Sequence, residues 1–267
     1  MRLFAFLTLV LFLLSFAAQA EPPPIQQWID EAIQAGGGVV TLPEGEHELP
    51  AGLILKNAQK LALRGVSKER CVLKLTGKAG AAQQADALLT ISGSAHTVEI
   101  ANLTLEGASD AGVKIAQLIR ADGTSSAAGM SFKDIAIRDC IFQNFTGTAV
   151  LLSKVEGGSV ERCSFRDGGQ AVEFHQGSQN CTARGNQIIR TRKAFDLLNA
   201  SACVLVGNES RECGIAATVS NEGAALKNSA HILRNNHFSG AFLEVRPNTT
   251  PLPLLENNEG LTASPAQ

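Results

Sequence analysis

The sequence predicts an all-β solenoid, a parallel β-helix, from two observations. One short phrase is written five times between Ile135 and Val245: Asp139-Cys140-Ile141-Phe142, Arg162-Cys163-Ser164-Phe165, Gly185-Asn186-Gln187-Ile188, Gly207-Asn208-Glu209-Ser210 and Asn235-Asn236-His237-Phe238. Its second position falls at 140, 163, 186, 208 and 236, in steps of 23, 23, 22 and 28. A period in the twenties built from short strand-like runs belongs to a stacked repeat. The second observation is that each phrase leads into a small or turn-forming residue and a further strand, as in Gly147-Thr148-Ala149-Val150-Leu151-Leu152 and Gly169-Gln170-Ala171-Val172-Glu173-Phe174. No helical pattern lies between the two strands, which disfavours a strand-and-helix horseshoe. A unit this small cannot bury its apolar face alone, but neighbours stacked about 4.8 Å apart share one core.

Alternation within the second strand puts Val172 and Phe174 on the core face and Glu173 and His175 on the other. The column Cys140, Cys163, Asn186, Asn208, Asn236 is expected to be a recurring corner. Asn there can bond to the next Asn and tolerates a left-handed backbone. Asn102 looks like the same position one coil earlier, and the step of 38 to Cys140 implies an enlarged loop over Asp122 to Met130.

In chain order, residues 1–20 read as a secretory signal peptide: Arg2, an apolar run from Leu3 to Phe16, and Ala18-Gln19-Ala20 before the cleavage point. No other segment is long and apolar enough to span a bilayer. The mature chain is therefore expected to be exported, to periplasm or medium. Residues 21–38 hold a capping helix, in which Ile25, Trp28, Ile29, Ala32 and Ile33 form one apolar stripe and Gly36 to Gly38 stop it. A solenoid end exposes unpaired strand groups, so a cap is required there. Residues 39–247 carry the coils, and 248–267, with Pro251, Pro253 and Pro265, read as an irregular tail.

The run Ala32-Ile33, then Gly36-Gly37-Gly38-Val39-Val40-Thr41-Leu42-Pro43-Glu44-Gly45, followed by Leu61-Ala62-Leu63-Arg64-Gly65, resembles the opening of pectate-lyase-like right-handed β-helix proteins. That superfamily includes exported polysaccharide lyases, glycosidases, epimerases and phage tailspikes. The resemblance extends over nearly the whole mature chain and implies a single-stranded right-handed parallel β-helix with an N-terminal capping α-helix. Its matching motifs are structural and specify no reaction. The Asp-Asp pair of polygalacturonases and the Trp-x-Asp-His of pectate lyases are both missing from the sequence.

Composition excludes some partners. A formal charge of −2 offers no basic stripe for nucleic acid. The six cysteines are too scattered for a disulfide scaffold or a zinc site and are expected to be buried thiols. His47, His96, His231 and His237 are dispersed and there are two methionines, which disfavours a copper site. There is no Tyr, and Phe142, Phe165, Phe174 and Phe195 fall at core-facing phase, so few aromatic platforms remain for sugar rings.

Outward positions on the second strand stack into one surface, the place where a long polymer would lie. The candidates for catalysis are Arg120, Asp122, Glu173, His175 and Asp196, with Lys154 and Arg246 as substrate-binding residues. Glu173 and Asp196 should sit on adjacent rungs, where one carboxyl pKa rises or a calcium ion bridges them. A lyase or epimerase on an acidic polysaccharide needs a base beside a uronate carboxylate and a positive charge to hold the enolate. His175, Arg120 or Lys154 can serve as base; Arg120, Arg246 or the calcium can neutralise. A hydrolase would instead use the carboxylates as acid and base. The alternative is a non-catalytic β-helix that binds a glycan or a protein partner along the same face.

Overall fold

The computed structural model describes residues 24–75, 86–107, 115–123, 132–220, 230–246, 249 and 251–263. Among these residues strand pairs with strand in parallel, one rung above the last. One sheet stacks Gly38–Leu42, Gln59–Gly65, His96–Ala101, Phe132–Arg138, Ser159–Glu161, Thr182–Arg184, Val204–Val206, Ile232–Arg234 and Leu254–Glu256. The other sheet bends. Ile141–Ser153, Ser164–His175 and Gln187–Leu198 are 12 or 13 residues long, and the first turns a corner where its register shifts between Phe145 and Thr148.

The first halves of these long strands continue the column of Gly45–Leu49, Cys71–Leu75 and Thr104–Glu106. The second halves continue Leu53–Lys56, Ala87–Ser92 and Gln117–Asp122, and run on into Ile215–Ser220 and Phe242–Val245. Each coil thus has three faces. The third carries the polar row expected from alternation.

Stacking identical positions aligns identical side chains. Phe142 lies on Phe165 with ring centroids 4.7 Å apart and planes 5° from parallel. Val150, Val172 and Phe195 form one buried column, and Leu152, Phe174, Leu197 and Val219 another. All six cysteines are buried free thiols. Burial and the neighbouring Cys163 hold the Cys140 thiol well above its ordinary pKa.

Asn186, Asn208 and Asn236 do form a ladder. The Asn186 Nδ2 donates to Asn208 Oδ1 at 2.9 Å and to Val160 O at 2.9 Å, while the Asn186 backbone N–H donates to that same Asn208 Oδ1 at 3.0 Å. Asn208 repeats the pattern onto Asn236 and Ala183. In Cys163 and Cys140 a thiol replaces the amide, reaching the carbonyls of Ile137 and Ile100 at 3.8 Å.

Two details differ from expectation. Asn102 is not a ladder residue: it aligns with Asp139, and Leu103 occupies the ladder column beside Cys140. The left-handed conformation belongs to the residue before the ladder, at Asn102, Asp139, Arg162, Gly185, Gly207, Asn235 and Asn257, all with φ between 49° and 62°. The ladder residue faces inward, so its amide bonds to other rungs instead of easing a turn. The coils also outlast residue 247. Leu254–Glu256 pairs with Ile232–Arg234, and Asn258 extends the ladder by accepting from Asn236 Nδ2 at 2.8 Å.

The helix α1 (Ile25–Gln34) closes the first coil with Ile25 and Ile29 buried and Trp28, Ala32 and Ile33 packed against the core. Gln26 replaces a missing strand. Its amide donates to Ile54 O at 2.9 Å and accepts from Ile54 N–H at 2.8 Å, satisfying groups that an open edge leaves unpaired. After the helix the chain passes Gly37 at φ 123°, where a Cβ would lie 2.5 Å from Gln59 O, so only glycine fits. No described helix is long and apolar enough to cross a membrane. Residues 1–20, expected to be a signal peptide, and most of the expected loop from Asp122 to Met130 lie outside the described residues.

Candidate active site

Register builds the polar row. Arg120, Leu151, Glu173, Asp196, Thr218 and Glu244 occupy one column of the third face. Asp122, Ser153, His175, Leu198 and Ser220 occupy the next column, two residues along each strand. The intervening Phe174 and Leu197 point inward and are buried.

Of the five residues expected to converge, three do. His175 Nδ1 lies 2.6 Å from Glu173 Oε1, an ion contact whose N–H is not aligned for a full hydrogen bond. Glu173 and Asp196 are direct partners on adjacent strands. Arg120 and Asp122 form a separate pair at 2.6 Å, two strands away from Glu173 and His175, with Leu151 and Ser153 on the strand between.

Lys154 is off the row. It holds the corner after Ser153 at φ 53°, and its side chain makes no hydrogen bond or ion pair among the described residues. Arg246 ends the row with Nε 3.9 Å from Glu244 Oε1.

Two residues that alternation does not predict complete the site. Gln170 Nε2 donates to Glu173 Oε2 at 2.9 Å, and Lys193 Nζ donates to Asp196 Oδ2 at 2.7 Å. They are register partners, each three residues before its carboxylate. Strict alternation would put residues three apart on opposite faces. Here Ala171 and Val172 are buried consecutively, as are Ala194 and Phe195, so the alternation slips by one and returns the polar residue to the outer face. The signal was the alanine column at 149, 171, 194 and 216, each preceded by Thr, Gln, Lys or Ile.

The two carboxylates live in different surroundings. Burial pushes the Asp196 pKa above its ordinary value, with Lys193 opposing. Close contact with Glu173 raises the His175 pKa, burial opposes, and the fields of Asp196 and Asp122 add to the rise. A bridging calcium was the expectation for Glu173 and Asp196; the contacts observed there are to side chains. Both carboxylates already have protein partners, and His175 and Lys193 supply the positive charge. Among the described residues no group of three His, Cys, Asp or Glu is placed to hold a metal ion.

The model of the right handed beta helix region matches residues 87–248. The chain belongs to the right-handed β-helix family. Its likeness to the pectate-lyase-like superfamily therefore holds at the level of fold. Among curated proteins the sequence finds no match.

Solved β-helices are distant relatives. The DFA-IIIase from Arthrobacter chlorophenolicus A6, solved in complex with GF2, is 13% identical with a TM-score of 0.56, covering 79% of this chain and 62% of that one. The Agl-KA catalytic domain is 14% identical with a TM-score of 0.56, covering 88% of this chain and 42% of that one. The N-terminal fragment of bacteriophage phi29 gene product 12 is 13% identical with a TM-score of 0.53, covering 88% and 49%. This β-helix thus spans less than two thirds of each, and at these identities the likeness shows the fold alone.

Proposed function

We propose that this β-helix is a carbohydrate-active enzyme that cleaves a glycosidic bond on its third face, with Asp196 as proton donor and Glu173 as the partner carboxylate. One observation carries the reading: two carboxylates stand in register on adjacent strands, and burial raises the pKa of one of them, Asp196. Asp196, buried, keeps a proton to higher pH than an ordinary aspartate. Glu173 is held in place by His175 on one oxygen and Gln170 on the other. An acid and a base made from two carboxyl groups is the apparatus of glycoside hydrolysis. Two of the structural likenesses, the DFA-IIIase and the Agl-KA catalytic domain, are named as catalysts, which supports an enzyme over a passive binder.

Elimination or epimerisation on a uronan is the competing chemistry. Its base would be His175, yet close contact with Glu173 raises the His175 pKa and disfavours the neutral form in which a base must start. Export belongs to the same proposal, since a polysaccharide substrate lies outside the cytoplasm; a mature chain beginning at Glu21 would support it. The decisive experiment incubates the protein with a polysaccharide panel and follows new reducing ends and new double bonds together. Reducing ends without unsaturation, abolished in Asp196→Asn, support hydrolysis. Unsaturated products would establish the lyase, and silence across the panel would leave the glycan binder.

A further inference from the structure

We infer that the saccharide on this face is neutral; the inference rests on the proposal that the third face binds a saccharide at all. On the rungs from Arg120 to Arg246 each positive side chain of the row stands near a carboxylate of the same rung: Arg120 with Asp122 at 2.6 Å, His175 with Glu173 at 2.6 Å, Lys193 with Asp196 at 2.7 Å, and Arg246 by Glu244 at 3.9 Å. With all of these groups ionised the four cations and four carboxylates sum to zero, and the proton that Asp196 would carry as an acid is offset by the exposed carboxylate of Asp86, 3.8 Å from Arg120.

A polyuronate carries a carboxylate on every sugar. Laid across these strands it would meet a protein carboxylate on four of the six rungs from Arg120 to Arg246. To hold one uronate within the row, a cation would have to abandon its partner and leave a carboxylate only 13% or 15% exposed without compensation, as at Asp196, Asp122 and Glu173, since Lys154 stands at the corner outside both columns. Calcium would meet the same obstacle, since the acidic oxygens are already engaged.

What the row does offer is neutral hydrogen-bonding capacity. Gln117 Oε1 and Ser153 Oγ are buried with no partner among the described residues, on the two strands beneath Glu173. Gln117 aligns laterally with Gln170 and Lys193, and Ser153 lies between Asp122 and His175. Buried polar atoms without partners are rare and mark places where a ligand hydroxyl or a water completes the bonding. A sugar hydroxyl, donor and acceptor in one group, serves an amide oxygen and a serine hydroxyl equally. A carboxylate offers Gln117 Oε1 nothing to accept.

The test measures binding of size-matched neutral and uronic oligosaccharides to the intact protein by titration calorimetry, at low and high salt. The expectation is that a neutral glycan binds, with affinity changing less than about twofold across the salt range, because no net charge is neutralised. Asp122→Asn, checked for folding by its melting curve, should leave Arg120 facing only the exposed Asp86 among these carboxylates and raise uronate affinity by about tenfold or more. Uronate binding by the wild type that weakens as salt rises, with neutral glycans inert, would overturn the inference and leave the Glu173–Asp196 chemistry standing. Binding of a neutral glycan without bond cleavage would uphold the inference and sink the proposed hydrolysis. Binding of neither class would overturn both.

Discussion

The asparagine ladder and the third-face row are built by the same device, register between rungs, and they end in opposite states. In the ladder the amides of Asn186, Asn208 and Asn236 are each used on both sides, donating to the next Oδ1 and to a carbonyl below. Nothing is left for a ligand. On the row the charged groups are paired within a strand, and Gln117 Oε1 and Ser153 Oγ are left with no partner among the described residues. The difference teaches that repetition alone gives stability. A site emerges where the repeated column changes residue type from rung to rung, as Arg120, Leu151, Glu173, Asp196 and Thr218 do.

That contrast can be broken from either side. The largest expected effect is on the row: Asp196→Asn and Glu173→Gln should each lower turnover by about 10²–10⁴-fold, while leaving the melting temperature close to wild type. Unchanged turnover would remove both residues from the chemistry. Next comes the ladder. Asn208→Ala unpairs Asn186 Nδ2, the Asn186 backbone N–H and the Ala183 carbonyl, and should cost about 3 kcal/mol or more in urea unfolding without selectively impairing turnover of the folded fraction.

Acid stability tests the neighbouring corner. Burial lowers the pKa of His231 to about 4, and its Nδ1 accepts from the Cys203 backbone N–H at 3.3 Å. The unfolded chain binds this proton first, so the stabilisation is complete above the unfolded value near 6.5 and is lost as pH falls through about 4. The loss should reach about 3 kcal/mol, and His231→Asn, which keeps an acceptor, should flatten it in acid-unfolding curves. His175 has the reverse sign. Its raised pKa gives stability that is full below the unfolded value and disappears as pH climbs through the folded one.

A smaller change sharpens the row itself. Lys193→Met removes the ammonium that opposes the rise in the Asp196 pKa, so the alkaline limb of the rate profile should move to higher pH. A profile that does not move would show that Lys193 packs without setting that proton. The smallest expected effect is none: a chelator should leave activity within about twofold, since His175 and Lys193 already occupy the two carboxylates. Loss of activity that calcium restores would reinstate the bridging ion.

Much of this was legible in the chain. The phrase period announced the stacked coils, the stripe of Ile25, Trp28 and Ile29 announced the cap, and alternation placed Glu173, His175 and Asp196 outward. Periodicity can be read this way because a repeated pattern states the same local preference many times over. Asn257-Asn258 repeated Asn235-Asn236 and could have extended the ladder from sequence too.

Other features were decided only in three dimensions. Gln170 and Lys193 reach the row because two consecutive residues turn inward at the alanine column, a slip that ideal alternation does not contain. Ion pairing within a strand, in place of a shared ion between strands, depends on side-chain reach once the rungs are stacked. From Cys140 to Asn236 the sequence by itself determined which residues line up, since lateral register follows from counting along a regular coil. The tertiary structure decided which of them touch, because contact depends on the rotation and slip of each strand about that register.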